Sequence, residues 1–292
     1  MTSSDAWALP NPPAGVAAPA DLLARRDAMR ALDALQIVDD RAAVSEAPVA
    51  GIPCISVAAP RARAIMVYAH GGGFRLGEPR TWIGFASRLA VAAGIRVLLP
   101  DYRLAPEHPF PAALQDLAAV YRAVSDEGGP PLLLGGDSAG GGLACSLALL
   151  ARDAGSPAGA VALLSPWLDL GVGAASYTDC ADSDPAFSAD AAREAAAAYL
   201  AGRNADTPLA SPLLHPSLHA FPPLWAAVSG SEVLRDDTLD FVSRVAREGG
   251  RAELSVYPAL PHVWPILQPG TPDSARTIEA MARFLSAASA DR

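Results

Sequence analysis

The chain has 292 residues, enough for one large α/β domain and generous for two small ones. Apolar residues make up 51% and charged residues 18%, which excludes a disordered chain and supports a substantial core. A formal charge of −9, a pI near 5.0 and no Lys/Arg cluster exclude nucleic acid as a partner.

Residues 1–7 lack the basic start and apolar run of a secretory signal, and no stretch approaches the ~20 apolar residues of a membrane span. The expected location is therefore cytoplasmic. Three scattered cysteines, Cys54, Cys145 and Cys180, suit free thiols, and no metal-ligand spacing is present.

Prolines 10, 12, 13 and 19 mark an irregular leader, followed by a helix over 20–35 with Leu22, Leu23, Met29, Leu32 and Leu35 largely on one face. Beyond residue 50 short apolar runs alternate with helical ones, the signature of a mostly parallel sheet with helices on both faces. Strands are expected at 64–68, 96–99, 132–134, 161–164, 224–228 and 252–257. Helices are expected at 82–93, 112–124, 139–151, 236–248 and 273–288. Almost sixty residues separate the strands ending at Leu164 and starting at Leu224, too many for a crossover. An insertion at about 170–215, with an Ala-rich helix at 190–200, fills that gap. The chain divides into an N-terminal cap segment, 1–50, and a catalytic domain, 51–292.

The strongest chemical signal is Gly136-Asp137-Ser138-Ala139-Gly140, which follows an apolar strand and opens an Ala/Leu-rich helix. A serine on so sharp a turn needs small neighbours, because its backbone is strained and its hydroxyl must stand clear of the sheet. Gly141 and Gly142 raise a phosphate loop as an alternative, but no Gly-Lys-Ser/Thr follows. The second signal is His70-Gly71-Gly72-Gly73-Phe74 at a strand end. Acyl transfer needs fixed donors at the oxyanion, and Gly71 and Gly72 with the Ala139 amide are the candidates.

With Asp101-Tyr102-Arg103-Leu104-Ala105-Pro106-Glu107 between these motifs and Ser165-Pro166-Trp167 after the next strand, the chain from about residue 50 onward resembles the hormone-sensitive-lipase-like esterases of the α/β-hydrolase superfamily. The resemblance implies an α/β-hydrolase fold, a helical cap made from the N-terminal segment and the insertion, and the same oxyanion donors. It implies a structural role for the stretch 101–107, and it raises a homodimer. The fold's chain order of serine, acid and histidine selects His262, in the loop after the strand ending at Tyr257, as general base. Glu232-Val233-Leu234-Arg235-Asp236 matches the family's acid pattern with Glu where Asp is commoner, so Glu232 is the first candidate acid and Asp236 the alternative.

The expected activity is hydrolysis of a small-molecule carboxylic ester of short to medium chain length, through an acyl-enzyme and without cofactor or metal. A lactone, a thioester or a pathway intermediate would suit the same triad. A non-catalytic receptor, as the plant gibberellin receptors are in this family, is the reading from another class. Phe74, Trp82, Tyr177, Phe187 and Tyr199 are the candidate pocket walls.

Overall fold

A computed structural model describes residues 5–290; residues 1–4, the start of the stretch expected to lack a secretory signal, lie outside the described residues. In chain order, α1 (Ala20–Arg30) runs into a tight turn of helix at Ala31–Leu35, and a hairpin of β1 (Ala43–Val49) and β2 (Ile52–Ala58) follows. Then β3 (Ile65–Ala69), α2 (Ile83–Ala93), β4 (Arg96–Pro100), α3 (Ala112–Asp126), β5 (Leu132–Asp137), α4 (Ser138–Asp153) and β6 (Val161–Leu164) alternate. The insertion carries α5 (Ser176–Asp179) and α6 (Ala189–Leu200), and the chain closes with β7 (Leu224–Ser229), α7 (Arg235–Arg247), β8 (Ala252–Tyr257), the short α8 (Trp264–Leu267) and α9 (Pro272–Ala290).

The eight strands form one sheet in the order β1-β2-β4-β3-β5-β6-β7-β8. The pairs β1–β2 and β2–β4 are antiparallel and the rest are parallel. The central strands are apolar at nearly every position because both faces are covered. Alternate residues go to opposite cores. Val67 and Leu134 join a core built on α3, α4, α6 and α7, while Met66 and Leu133 join one built on α2 and α9.

One boundary differs from the sequence expectation. The segment assigned to the cap through residue 50 gives seven residues near its end, Ala43–Val49, to the sheet as β1. This edge strand is exposed at every position but one and carries Glu46 and Pro48, so it has none of the alternation that reveals a half-buried strand.

Helix α4 lies unusually close to β3. A Cβ on Gly140 would run into the carbonyl oxygens of Ala69 and His70, and one on Gly136 into those of Gly140 and Ala69. Both contacts are with backbone, which has no rotamer to yield. Gly140→Ala should therefore lower unfolding stability by about 1–3 kcal/mol, read as a lower midpoint in a urea titration; an unchanged midpoint would show that the helix can move away freely.

Candidate active site

Strand β5 ends and α4 begins between Asp137 and Ser138, and the turn is tight enough to force Ser138 to φ 52°. A non-glycine residue in this region is strained and persists only where its surroundings hold it. Phe74 (φ 62°), Ser165 (φ 44°) and Val263 (φ 46°) share the conformation, each in a loop beyond a strand's C-terminal end, where this class of sheet binds its ligands. Ser138 is buried and lines a cavity of about 230 Å³.

His262 lines the same cavity. Its Nδ1 lies 2.6 Å from Glu232 Oε2, and Glu232 is itself fixed by donors to its other oxygen, the Ser165 hydroxyl at 2.7 Å and the Ser229 amide at 2.8 Å. Glu232 is 1% exposed, so its carboxylate can pair with the imidazole without competition from water. Burial opposes a charge on His262, but the Glu232 hydrogen bond and the carboxylates of Glu232, Asp184 and Asp137 outweigh it, raising the imidazole above its ordinary 6.5. Asp236, the alternative acid, turns to the insertion instead: its carboxylate accepts from the Ser176 amide at 2.8 Å and from Arg235 Nε at 2.7 Å. Ser165 belongs to a motif visible in the sequence, but its contact with Glu232 was not readable there.

The glycine turn differs from expectation in one donor. The Gly71 N–H is committed to Asp137 Oδ1 at 3.1 Å, and Gly71 is absent from the cavity wall. Gly72 and Gly73 are the glycines that line it. Ala139 is fully buried in the first turn of α4, immediately behind Ser138. Asp137 Oδ1 also accepts from Tyr68 Oη at 3.0 Å and Trp82 Nε1 at 2.8 Å, so one carboxylate oxygen ties β3, the glycine turn and the residue before the serine together. Burial pushes the Asp137 carboxyl up to about 7 against the pull of these donors and of His262. His70 is neutral, lowered to about 4 by burial, and stacks on Tyr102 at 4.3 Å. Its Nδ1 therefore carries the proton and donates to the Gly71 carbonyl at 2.7 Å, while Tyr102 Oη donates to the His70 carbonyl at 2.6 Å. The stretch 101–107 thus braces the turn, with Arg103 on Asp116 and Glu107 on Arg26.

Of the five aromatic residues expected in the pocket wall, Trp82 and Phe187 line the cavity. Phe74, Tyr177 and Tyr199 belong to the core instead. Phe74 stacks on Tyr199 at 3.8 Å and meets Trp167 at 5.5 Å. Aromatic residue type alone did not distinguish a wall from packing. Sequence reading missed Arg25, Met29 and Leu32, which α1 and the turn after it bring to the cavity, and Arg75, which follows the glycine turn. A larger depression of about 490 Å³ lies beside the β1–β2 hairpin. Its only nucleophile, Cys54, is pushed up to about 11 by burial and stays a thiol at neutral pH. Ser138 and His262 both line the smaller cavity.

Residues 66–266 match the α/β-hydrolase-fold family. An acetyl-hydrolase of Streptomyces hygroscopicus is 39% identical over 229 residues, 77% of this chain and 76% of that protein. The carboxylesterase/phospholipase LipF of Mycobacterium tuberculosis is 36% identical over 80% of this chain and 65% of its own length. A crystal structure of an esterase from the bacterial hormone-sensitive lipase family superposes with a TM-score of 0.87 at 36% identity, covering 98% of this chain and 95% of that one. With the fold and the serine elbow described above, these matches define an α/β hydrolase. The chain belongs, within that family, to the hormone-sensitive-lipase-like esterases, and it is an enzyme.

Because the Asp137 carboxyl sits near 7 in the fold and near 4 in an unfolded chain, the folded protein holds a proton that the unfolded chain has released between those values. The wild type should lose stability across that window relative to Asp137→Asn, which keeps the Oδ1 acceptor without the ionisation. Urea titrations from pH 4 to pH 8 should show the difference, variant minus wild type, rising to about pH 7 and then levelling. A flat difference would remove the raised carboxyl.

Proposed function

We propose that this carboxylesterase cleaves short- to medium-chain esters through a covalent acyl-enzyme, with Ser138 as nucleophile, His262 as general base and Glu232 as the acid that orients it. The observation that carries this reading is His262 itself: its Nδ1 is held at 2.6 Å by a buried carboxylate while its ring shares a cavity wall with the strained serine. With Nδ1–H donating to Glu232, the Nε2 lone pair is free to take the Ser138 hydroxyl proton as Oγ bonds to the ester carbonyl carbon. The tetrahedral oxyanion is received by the amides of Gly72 and Gly73 and by that of Ala139, since the Gly71 amide already serves Asp137. Collapse breaks the bond to the alcohol oxygen, which leaves with the proton from Nε2. Water then attacks the acyl-enzyme by the same route in reverse.

A cavity of about 230 Å³ lies below the usual range for drug-sized ligands, which favours short acyl chains. Helix α1 and the segment around α6 act as the cap, contributing Met29, Phe187, Ala191 and Ala195 to the wall. A cytoplasmic location suits three buried free cysteines. A receptor that binds without turnover has no use for a histidine joined to a buried acid beside the serine, and it is the weaker reading.

Hydrolysis of 4-nitrophenyl esters from acetate to laurate should fade with chain length, and Ser138→Ala, shown folded, should lose about 10⁴-fold or more in kcat. Full activity in that variant would overturn the mechanism. Because His262 must be neutral to act and its pKa is raised, kcat/KM should fall as pH drops through a value above 6.5. Glu232→Gln should lower kcat and move this limb to lower pH, because it removes the hydrogen bond and charge that raise the imidazole. A limb that stays in place would detach Glu232 from His262.

A further inference from the structure

Apart from Ser138, His262, Asp137 and Thr81, the side chains on the cavity wall are apolar except for two arginines, Arg25 and Arg75. Arg75 lies two residues beyond Gly73, its backbone N–H donating to the Gly72 carbonyl at 3.1 Å. Its side chain is 5% exposed, which is rare for a guanidinium. Nη1 donates to Glu194 Oε1 at 2.6 Å, and Nε is buried without a partner. A guanidinium presents five N–H donors in a fixed fork, and a single contact leaves most of the fork unused. Glu194 is also a weak counter-charge: its side chain is 63% exposed, on the solvent side of α6, where water screens it. Unsatisfied donors at the edge of an apolar cavity cost free energy until an acceptor arrives.

Arg25 adds a second, exposed cation to the same wall from α1, with no ion pair or hydrogen bond among the described residues. The opposing charge within the wall is Asp137, whose Oδ1 is already taken by three donors behind the elbow. In a chain of net charge −9, two arginines facing the cavity make it a local exception. We propose that the natural substrates are acidic esters, carrying a carboxylate or similar anion on the part held in this cavity, with Arg75 receiving the anion and Arg25 drawing it in. This deepens the esterase reading of the same site and rests on it.

The test compares charged and neutral esters of matched length in wild type, Arg75→Gln and Arg75→Lys. For an anion on the acyl side the pair is mono-4-nitrophenyl adipate against 4-nitrophenyl hexanoate. For one on the alcohol side it is 4-carboxyphenyl butyrate against 4-carbamoylphenyl butyrate. In one of the two pairs, the charged-to-neutral ratio of kcat/KM should fall about tenfold in Arg75→Gln and be partly restored in Arg75→Lys, as a charge-assisted hydrogen bond requires. If Arg75 only braces α6 through Glu194, both esters of each pair fall together, the ratios stay fixed, and the proposal is overturned. Should the folded wild type hydrolyse no ester, the esterase reading fails. Thermal shift with free adipate against hexanoate still decides the anion site, because a shift with adipate that is absent in Arg75→Gln supports it and equal shifts refute it.

Discussion

The approach of α4 to β3 is the constraint from which the site follows. With no side chain at Gly136 or Gly140, the helix that begins at Ser138 packs against the carbonyl groups of Ala69 and His70. The two sequence motifs, about sixty-five residues apart, thereby become one object, in which the glycine turn lies beside the serine. Asp137 then fixes the relation, since its Oδ1 holds the Gly71 amide, Tyr68 and Trp82 together. The same bond selects among the glycines. It removes the Gly71 N–H from any other use and leaves Gly72 and Gly73 facing the cavity.

Three buried carboxyl groups near the strand ends show how neighbours assign roles. Asp137 and Asp237 are both pushed up to about 7, because burial exceeds the pull of their hydrogen bonds. Asp237 serves the backbone, accepting from the Leu168 and Asp169 amides at 3.0 Å each. Glu232 lies as deep but faces an imidazole, and the pair shares the cost of burying a charge. Its longer side chain places Oε1 on Ser165 and Ser229 while Oε2 reaches His262, so both oxygens are occupied. A glutamate at this position is thereby matched to its surroundings.

Local chemistry made much of this readable from sequence. The elbow needs small residues around a serine, and the central strands need apolar residues on both faces, so β3 to β8 and the long helices between them were visible, whereas the one-turn α5 was not. The hairpin strands β1 and β2 were not: β1 has its side chains almost all in water and carries no period, and β2 has Pro53 near its start. The donor assignment within the glycine turn depended on Asp137 reaching across from another strand, a contact of sixty-six residues' separation that no local pattern encodes. Arg25 and Arg75 were invisible for the same reason, since α1 and the residues beyond the glycine turn meet at one cavity only through tertiary packing.

Phe74 and Tyr199 show why residue type alone misleads near a site. Both are large aromatics, Phe74 beside the glycine turn and Tyr199 on α6, yet they stack on each other at 3.8 Å within the core and away from the cavity wall. The Phe110 amide donates to the Tyr199 carbonyl at 2.7 Å, and Phe110 meets the Tyr199 ring edge-on at 5.6 Å. Through Tyr199 the C-terminal end of α6 is therefore pinned to the residue after the glycine turn, one position before Arg75. Arg75 in turn reaches Glu194, five residues earlier on the same helix. Two successive residues, one apolar and one charged, thus fasten α6 at two levels. A shift of α6 that repositioned Ala191 and Ala195 at the cavity wall would have to disturb the turn that holds Gly72 and Gly73. The position of α6 and the conformation of the glycine turn are therefore coupled by packing, and a displacement of the one is felt at the other.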